Sequence, residues 1–171
     1  EYWSLEQAKL AGAKSKEFAG QVVLVTGGAG AIGFAIARTF ASLGATLAIV
    51  DRDGAACQAA AAKLGKHALA IEADLTAKGA AENILQQVAS RFGGLDILVS
   101  NAGAAIAGSI LDMDETVIRS SFELNFFSHL ALARAASAIF AAQGKGGQML
   151  FNVSKQAVNP GKGFGAYGLP K

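Results

Sequence analysis

Tyr167 and Lys171 stand four residues apart near the end of the chain. That spacing carries chemistry if the segment is helical, because residues i and i+4 share one helix face. A free phenol, with a pKa near 10, is a poor base at neutral pH, and lowering one to about 7 takes roughly 4 kcal/mol. One ammonium about 4 Å away, at an effective dielectric near 20, supplies about that much. A tyrosine so placed can take a proton from a substrate hydroxyl and return it in reverse. An isolated pair of this kind is also commonplace on protein surfaces, so the case rests on what stands beside it.

A second chemical feature lies at the other end. Thr26-Gly27-Gly28-Ala29-Gly30-Ala31-Ile32-Gly33 follows the apolar run Val22-Val23-Leu24-Val25 and precedes a helical pattern. Glycines there let the chain turn sharply and approach a pyrophosphate, which the amide groups and dipole of a helix start favour. Gly27, Gly28, Gly30, Ala31, Ile32 and Gly33 are therefore the expected dinucleotide contacts. Asp51 follows Gly33 by 18 residues at the end of the next apolar run. Its carboxylate can accept from the adenosine ribose hydroxyls and would repel a 2′-phosphate, which points to NAD. Arg52 beside it partly offsets that repulsion. The competing reading is that Asp51 and Asp53 merely cap the following helix.

These features need elements to position them, and the hydrophobic pattern supplies them. Strands are predicted at Val22–Val25, Leu47–Val50, His67–Glu72, Asp96–Ser100 and Gln148–Val153. Helices are predicted from Ile32 to Leu43, over 54–64, over 77–92, and over a long, kinked stretch from Asp112 to Ala142. Strands alternating with helices in units of this size imply a doubly wound parallel sheet, an α/β Rossmann fold, with its ligand crevice beyond the strands' carboxyl ends. Residues 1–19 read as a helix or linker from a preceding domain, with Trp3 as a packing residue, and 20–171 as the dinucleotide-binding domain.

Composition narrows the classes. The 171 residues are 52% hydrophobic and 16% charged, with a net charge of +2 and no basic run. That fits one folded domain and argues against a nucleic-acid partner. Arg38 and Arg134 interrupt the two candidate apolar runs, so no membrane span is expected. The single cysteine, Cys57, cannot pair internally and fits a reducing cytoplasm. His67, His129 and Cys57 share no ligand spacing, so no metal is expected. Asp112, Asp114 and Glu115 read as helix-start acids, and Lys155 and Lys162 as solvated loop lysines.

Further motifs fall in order along the chain, and with them the sequence resembles the short-chain dehydrogenase/reductase family. Asp74-Leu75 resembles the family's adenine-contacting pair, and Asn101-Ala102-Gly103 matches its Asn-Ala-Gly signature. Asn125 stands where the family carries a structural and relay asparagine. Ser154 precedes Tyr167 by 13 residues, as the family requires. The resemblance implies a catalytic set of Asn125, Ser154, Tyr167 and Lys171. Ser154 would hold the substrate oxygen and steady its developing charge, while Asn125 would position a water between Lys171 and solvent. Tyr167 and Lys171 would also contact the cofactor.

One departure is Ala31, where the shorter branch of the family usually has glycine. The spacing Thr-Gly-x-x-Gly-x-x-Gly instead fits the extended branch of epimerases and dehydratases, which does not usually carry Asn-Ala-Gly. The lead Glu1-Tyr2-Trp3, with Leu5 to Leu10, and the run Ser154 to Gly161 resemble bifunctional aldolase/short-chain dehydrogenases. In those, a rhamnulose-1-phosphate aldolase module precedes a dehydrogenase. That resemblance implies lactaldehyde or a similar small hydroxy-aldehyde or alcohol as substrate, in rhamnose breakdown. It also implies covalent fusion to an N-terminal aldolase module. The family resemblance implies a homo-oligomer paired through the long helix, and a domain truncated at its C-terminal side. Three readings follow: an NAD-dependent dehydrogenase, a catalytically silent dinucleotide-binding fragment, or an extended-branch epimerase or dehydratase.

Overall fold

The computed structural model describes residues 16–171. The expected helix or linker and Trp3 fall almost entirely outside them. Five parallel strands form one sheet in the order β3-β2-β1-β4-β5. They are β1 (Val22–Thr26), β2 (Thr46–Asp51), β3 (Leu69–Glu72), β4 (Ile97–Ser100) and β5 (Gln148–Phe151). Strand order reverses direction between β1 and β4, and that switch point is where a doubly wound sheet opens a crevice. The fold is the doubly wound α/β sheet that the periodicity predicts.

Two cores explain why β1, β2 and β4 are apolar in their interiors. Val22 and Leu24 pack with Ala48, Val50, Ile71 and Leu98 beneath α3 (Ala80–Phe92) and α5 (Ser128–Gln143). Val23 and Val25 pack with Leu47, Ile49, Ile97 and Val99 beneath α1 (Ala31–Ser42) and α2 (Gly54–Leu64). Alternate residues feed opposite faces, so a strand covered on both sides has no room for polar positions.

Several boundaries differ from expectation for local reasons. β3 begins at Leu69 rather than His67, because Gly65 turns the chain and its carbonyl accepts from Ala68 N–H. α3 starts at Ala80, since Gly79 takes a left-handed φ of 76° that regular helix does not. Asp96 precedes β4 because its carboxylate accepts from Val22 N–H and pairs with Lys145. The long helix runs from Glu115 to Gln143. It comprises α4 (Glu115–Phe122), a π-helical turn (Glu123–Phe127) and α5. Its 29 residues are long and apolar enough to cross a membrane by length and composition, contrary to the reading that Arg134 rules this out. In the fold, its Leu132, Ala136 and Phe140 are buried in the core under the sheet.

Candidate active site

A cleft of about 840 Å³ opens at the carboxyl ends of the strands. Gly27, Gly30, Ala31, Ile32 and Gly33 line it, as do Asp51, Arg52, Asp74, Leu75, Asn101, Ala102 and Gly103. Ser154, Tyr167 and Lys171 line its other end. The sequence-predicted set thus converges on one crevice, with two qualifications.

Gly28 is the first. It does not face the cleft: its amide donates to the Val50 carbonyl, and a Cβ there would collide with Ile49. The expected cofactor contact is a packing glycine that lets the turn lie on β2. Its neighbours serve the cleft differently. Gly27 takes a φ of 64°, and a Cβ on Gly33 would overlap the Gly27 carbonyl oxygen and press on Asn101. α1 begins at Ala31 after Gly30 as its N-cap, with no side-chain cap and no acid in its first turn. Its leading amide groups therefore remain open to an anion.

Asp51 does not cap α2; Asp53 does, accepting from Ala56 N–H at 2.9 Å. Asp51 instead accepts from Ala29 N–H at 3.1 Å and from Asp53 N–H at 3.3 Å, which fixes its carboxylate at the cleft wall. Asp74 accepts from the amide and hydroxyl of Thr76, and these bonds hold its carboxyl below the usual range. The uncapped helix start and the two anchored carboxylates fit a dinucleotide, pyrophosphate at one and adenosine at the others.

Thr26 joins this half to the next. Its buried hydroxyl oxygen accepts from the amides of Asn101 and Ala102, both at 3.0 Å. Asn101 donates to the Thr26 carbonyl and accepts from Asn152 on the far side. The Asn-Ala-Gly segment is thereby stitched across β1, β4 and the end of β5.

Asn125 is the second qualification. It is buried within the π turn, and its side chain is engaged by backbone. Oδ1 accepts from Ala104 N–H at 3.2 Å, and Nδ2 donates to the Ala104 carbonyl at 3.1 Å and to Ser121 Oγ at 3.2 Å. Its side chain holds the loop after β4, with both amide protons engaged. Gly103 explains itself here: a Cβ would lie 2.7 Å from both Asn125 Oδ1 and Lys171 Nζ.

Ser154 caps the short 3-10 turn Lys155–Ala157, accepting from Gln156 N–H at 3.2 Å. That bond uses a lone pair and leaves its proton free to donate. Tyr167 sits in the single-turn helix α6 (Gly165–Gly168), and Lys171 Nζ lies 5.9 Å from its ring centroid. Burial lowers the Lys171 pKa. Among the described residues the ion pairs are Arg119–Glu115 and Lys145–Asp96, so no carboxylate neutralises this ammonium. An unpaired, half-buried ammonium fits an electron-rich ligand group such as a ribose hydroxyl.

Among the residues set aside, one stands apart. His67, Lys155 and Lys162 are exposed, Asp114 caps α4, and no metal-holding cluster occurs among the described residues. His129 is the exception. Its Nδ1 lies 2.6 Å from Ser100 Oγ, and its Nε2 is buried without a hydrogen-bond partner. Burial, then the Lys171 charge, push its pKa down to about 4, against a weaker pull from the Ala102 carbonyl. A lone histidine in an apolar helix gave no signal of this in the sequence.

Comparison with known proteins settles the family. The short chain dehydrogenase family profile matches residues 21–171. The chain belongs to the short-chain dehydrogenases. It is 35% identical to the uncharacterized oxidoreductase YuxG of Bacillus subtilis, over the whole of this chain and 26% of that protein. It is 32% identical to galactitol 2-dehydrogenase of Agrobacterium fabrum, over 83% of this chain and 55% of that one. The 3-ketoacyl-(acyl-carrier-protein) reductase of Brucella melitensis, solved with NADH, superposes with a TM-score of 0.84 at 28% identity. That match covers 89% of this chain and 64% of the reductase. This short-chain dehydrogenase spans about half the galactitol enzyme and about a quarter of YuxG. Its relatives are oxidoreductases, and a nicotinamide dinucleotide is the cofactor that family and neighbour suggest.

Proposed function

We propose that this chain is the cofactor-binding and proton-transfer part of an NAD-dependent dehydrogenase acting on a small neutral alcohol or hydroxy-aldehyde. The observation that carries it is convergence: an uncapped glycine turn, an anchored Asp51 and the Ser154, Tyr167, Lys171 group line one cleft. When bound, the dinucleotide supplies the hydride acceptor. Tyr167 takes the proton of the substrate hydroxyl as its carbon gives up hydride, and returns it in the reduction direction. Ser154 donates to the same oxygen and stabilises its developing charge. Lys171 directs positive charge at the phenol, and Asn125 keeps the wall beneath Lys171 in place.

The lining supports an uncharged substrate. Around the reacting end stand Ala104, Ile106, Leu124 and Val153, with no carboxylate and with Lys171 as the cation. Such a wall suits an uncharged molecule, and lactaldehyde is the small hydroxy-aldehyde that the sequence resemblance implies. Asp51 at the ribose end favours NAD over its 2′-phosphate, by repulsion of like charge. Fusion to an N-terminal aldolase module and a place in rhamnose breakdown rest on the sequence resemblance; YuxG, of which this chain matches about a quarter, is long enough for a second module. Cytoplasmic residence is supported by the buried free thiol of Cys57, and self-association by exposed Phe126, Phe127 and Leu130 on the long helix.

The test is cofactor reduction by the full natural chain with lactaldehyde, small diols and sugar alcohols, run with NAD and NADP. Turnover with NAD on a short neutral substrate, weakened when Asp51→Ala is introduced and shifted toward NADP, is the expected outcome. No reduction of either cofactor across that panel would overturn the reading.

A further inference from the structure

α6 carries Tyr167 on one helical turn, and that turn has a defect written into its sequence. Leu169 N–H donates to the Gly165 carbonyl at 3.1 Å, as helix geometry requires. The next carbonyl, Ala166, should accept from residue 170, which is Pro170 and has no N–H to give. Ala166 is fully buried, so water cannot fill the gap without cost. The missing donor comes from another element. Ser121, fully buried on α4, donates its hydroxyl to the Ala166 carbonyl at 2.7 Å.

The direction of every bond in this cluster is fixed. A carbonyl cannot donate, so the single Ser121 proton goes to Ala166, and its oxygen accepts from Asn125 Nδ2 at 3.2 Å. The two protons of that amide serve Ser121 and the Ala104 carbonyl, while Oδ1 receives Ala104 N–H. A continuous, fully satisfied chain therefore runs from the loop after β4 through Asn125 and Ser121 to the residue preceding Tyr167. Buried networks of this kind hold one arrangement when complete and fail when a member is lost.

Resting on the reading of Tyr167 as the proton-transfer group, we propose that Ser121 is a positioning residue whose hydroxyl replaces the amide proton Pro170 lacks. It holds the turn from Gly165 to Lys171 in register with Asn125. Ser121 touches neither substrate nor cofactor in this account; it acts through Ala166 and Asn125.

A double-mutant cycle tests it on the full natural chain, using Ser121→Ala, Pro170→Ala and both together. Ser121→Ala is expected to lower kcat by about 10-fold or more with NADH affinity within about twofold. The loss should fall on kcat and leave cofactor binding intact, a split that a merely structural role would not produce. Pro170→Ala restores an N–H at the right place, so the double variant should recover most of the kcat lost in Ser121→Ala. If the two losses simply multiply, or folded Ser121→Ala keeps wild-type kcat, the proposal is overturned. Should Ser121→Ala not fold, Ser121→Cys keeps the volume with a weaker donor, and the same rescue by Pro170→Ala decides. Tyr167→Phe in parallel separates the cases: retained turnover there defeats the reading of Tyr167, whatever the cycle gives.

Discussion

The two ends of the cleft are built by opposite means. The dinucleotide end is shaped by what is missing: no Cβ on Gly27 or Gly33, no side-chain cap on α1. The reacting end is shaped by what is added: buried side chains of Ser121, Asn125 and Thr26 that hold backbone loops in place. The first is a steric solution, local to one turn. The second is a polar solution spanning several elements, and each member depends on its partners. Substitutions should therefore act at one spot in the first end and propagate in the second.

The largest stability effect is expected at the steric end. Gly33→Ala forces a methyl onto the Gly27 carbonyl, where backbone cannot yield cheaply, at a cost of about 3 kcal/mol. Chemical unfolding should show that loss, and titration should show NADH binding weakened with it. A Gly33→Ala protein that is as stable and binds as tightly would remove the steric half of the contrast. Next comes Thr26→Val, which keeps the shape and strips the acceptor from two buried amides. About 2 kcal/mol should go, and because Asn101 and Asn152 are linked to it, proton exchange should quicken across all three loops. Loss confined to Thr26 would show that the polar end is not one network.

A smaller effect sharpens the polar half through pH. His129 is held neutral, with its pKa pushed down to about 4. The unfolded chain binds a proton near pH 6.5 and the folded protein does not, so stability falls as pH drops from about 6.5 towards 4. Full burial would make this about 3 kcal/mol; partial solvation reduces it to about 1–2 kcal/mol. The anchored carboxylates of Asp74, Asp96 and Asp114 have lowered pKa values and lose their contribution only at lower pH. Unfolding at pH 7 and pH 5 therefore isolates His129, and His129→Gln should remove most of the difference. An undiminished difference in that variant would exclude His129 as its source. Smallest is Ala31→Gly, which removes one exposed methyl at the pyrophosphate end. NADH should bind a few-fold tighter; an unchanged dissociation constant would show that Ala31 does not crowd the site.

The contrast also explains what was legible in the sequence. Strands buried on both faces leave continuous apolar runs, and a glycine turn leaves its glycines, so fold and dinucleotide end could be read residue by residue. Spacing does not say which way a Cα faces, so Gly28 reads as a cofactor contact although it faces Ile49. The π turn over Glu123–Phe127 has no compositional mark, so only a kink was foreseeable. Ser121 looks like any mid-helix serine, and its partner is 45 residues away. Even the proline that creates its role is visible only once Ala166 is known to be buried. Polar networks between elements are set by three-dimensional packing, which single-sequence patterns do not encode.

At the centre of the account, Tyr167 moves the proton while the glycine turn and Asp51 hold the cofactor, as separable tasks. Turnover and NADH dissociation constant measured together on Tyr167→Phe test this most directly. Turnover should fall by about 10²-fold or more with NADH binding within about twofold. Turnover that persists near the wild-type rate in a folded Tyr167→Phe protein would contradict it.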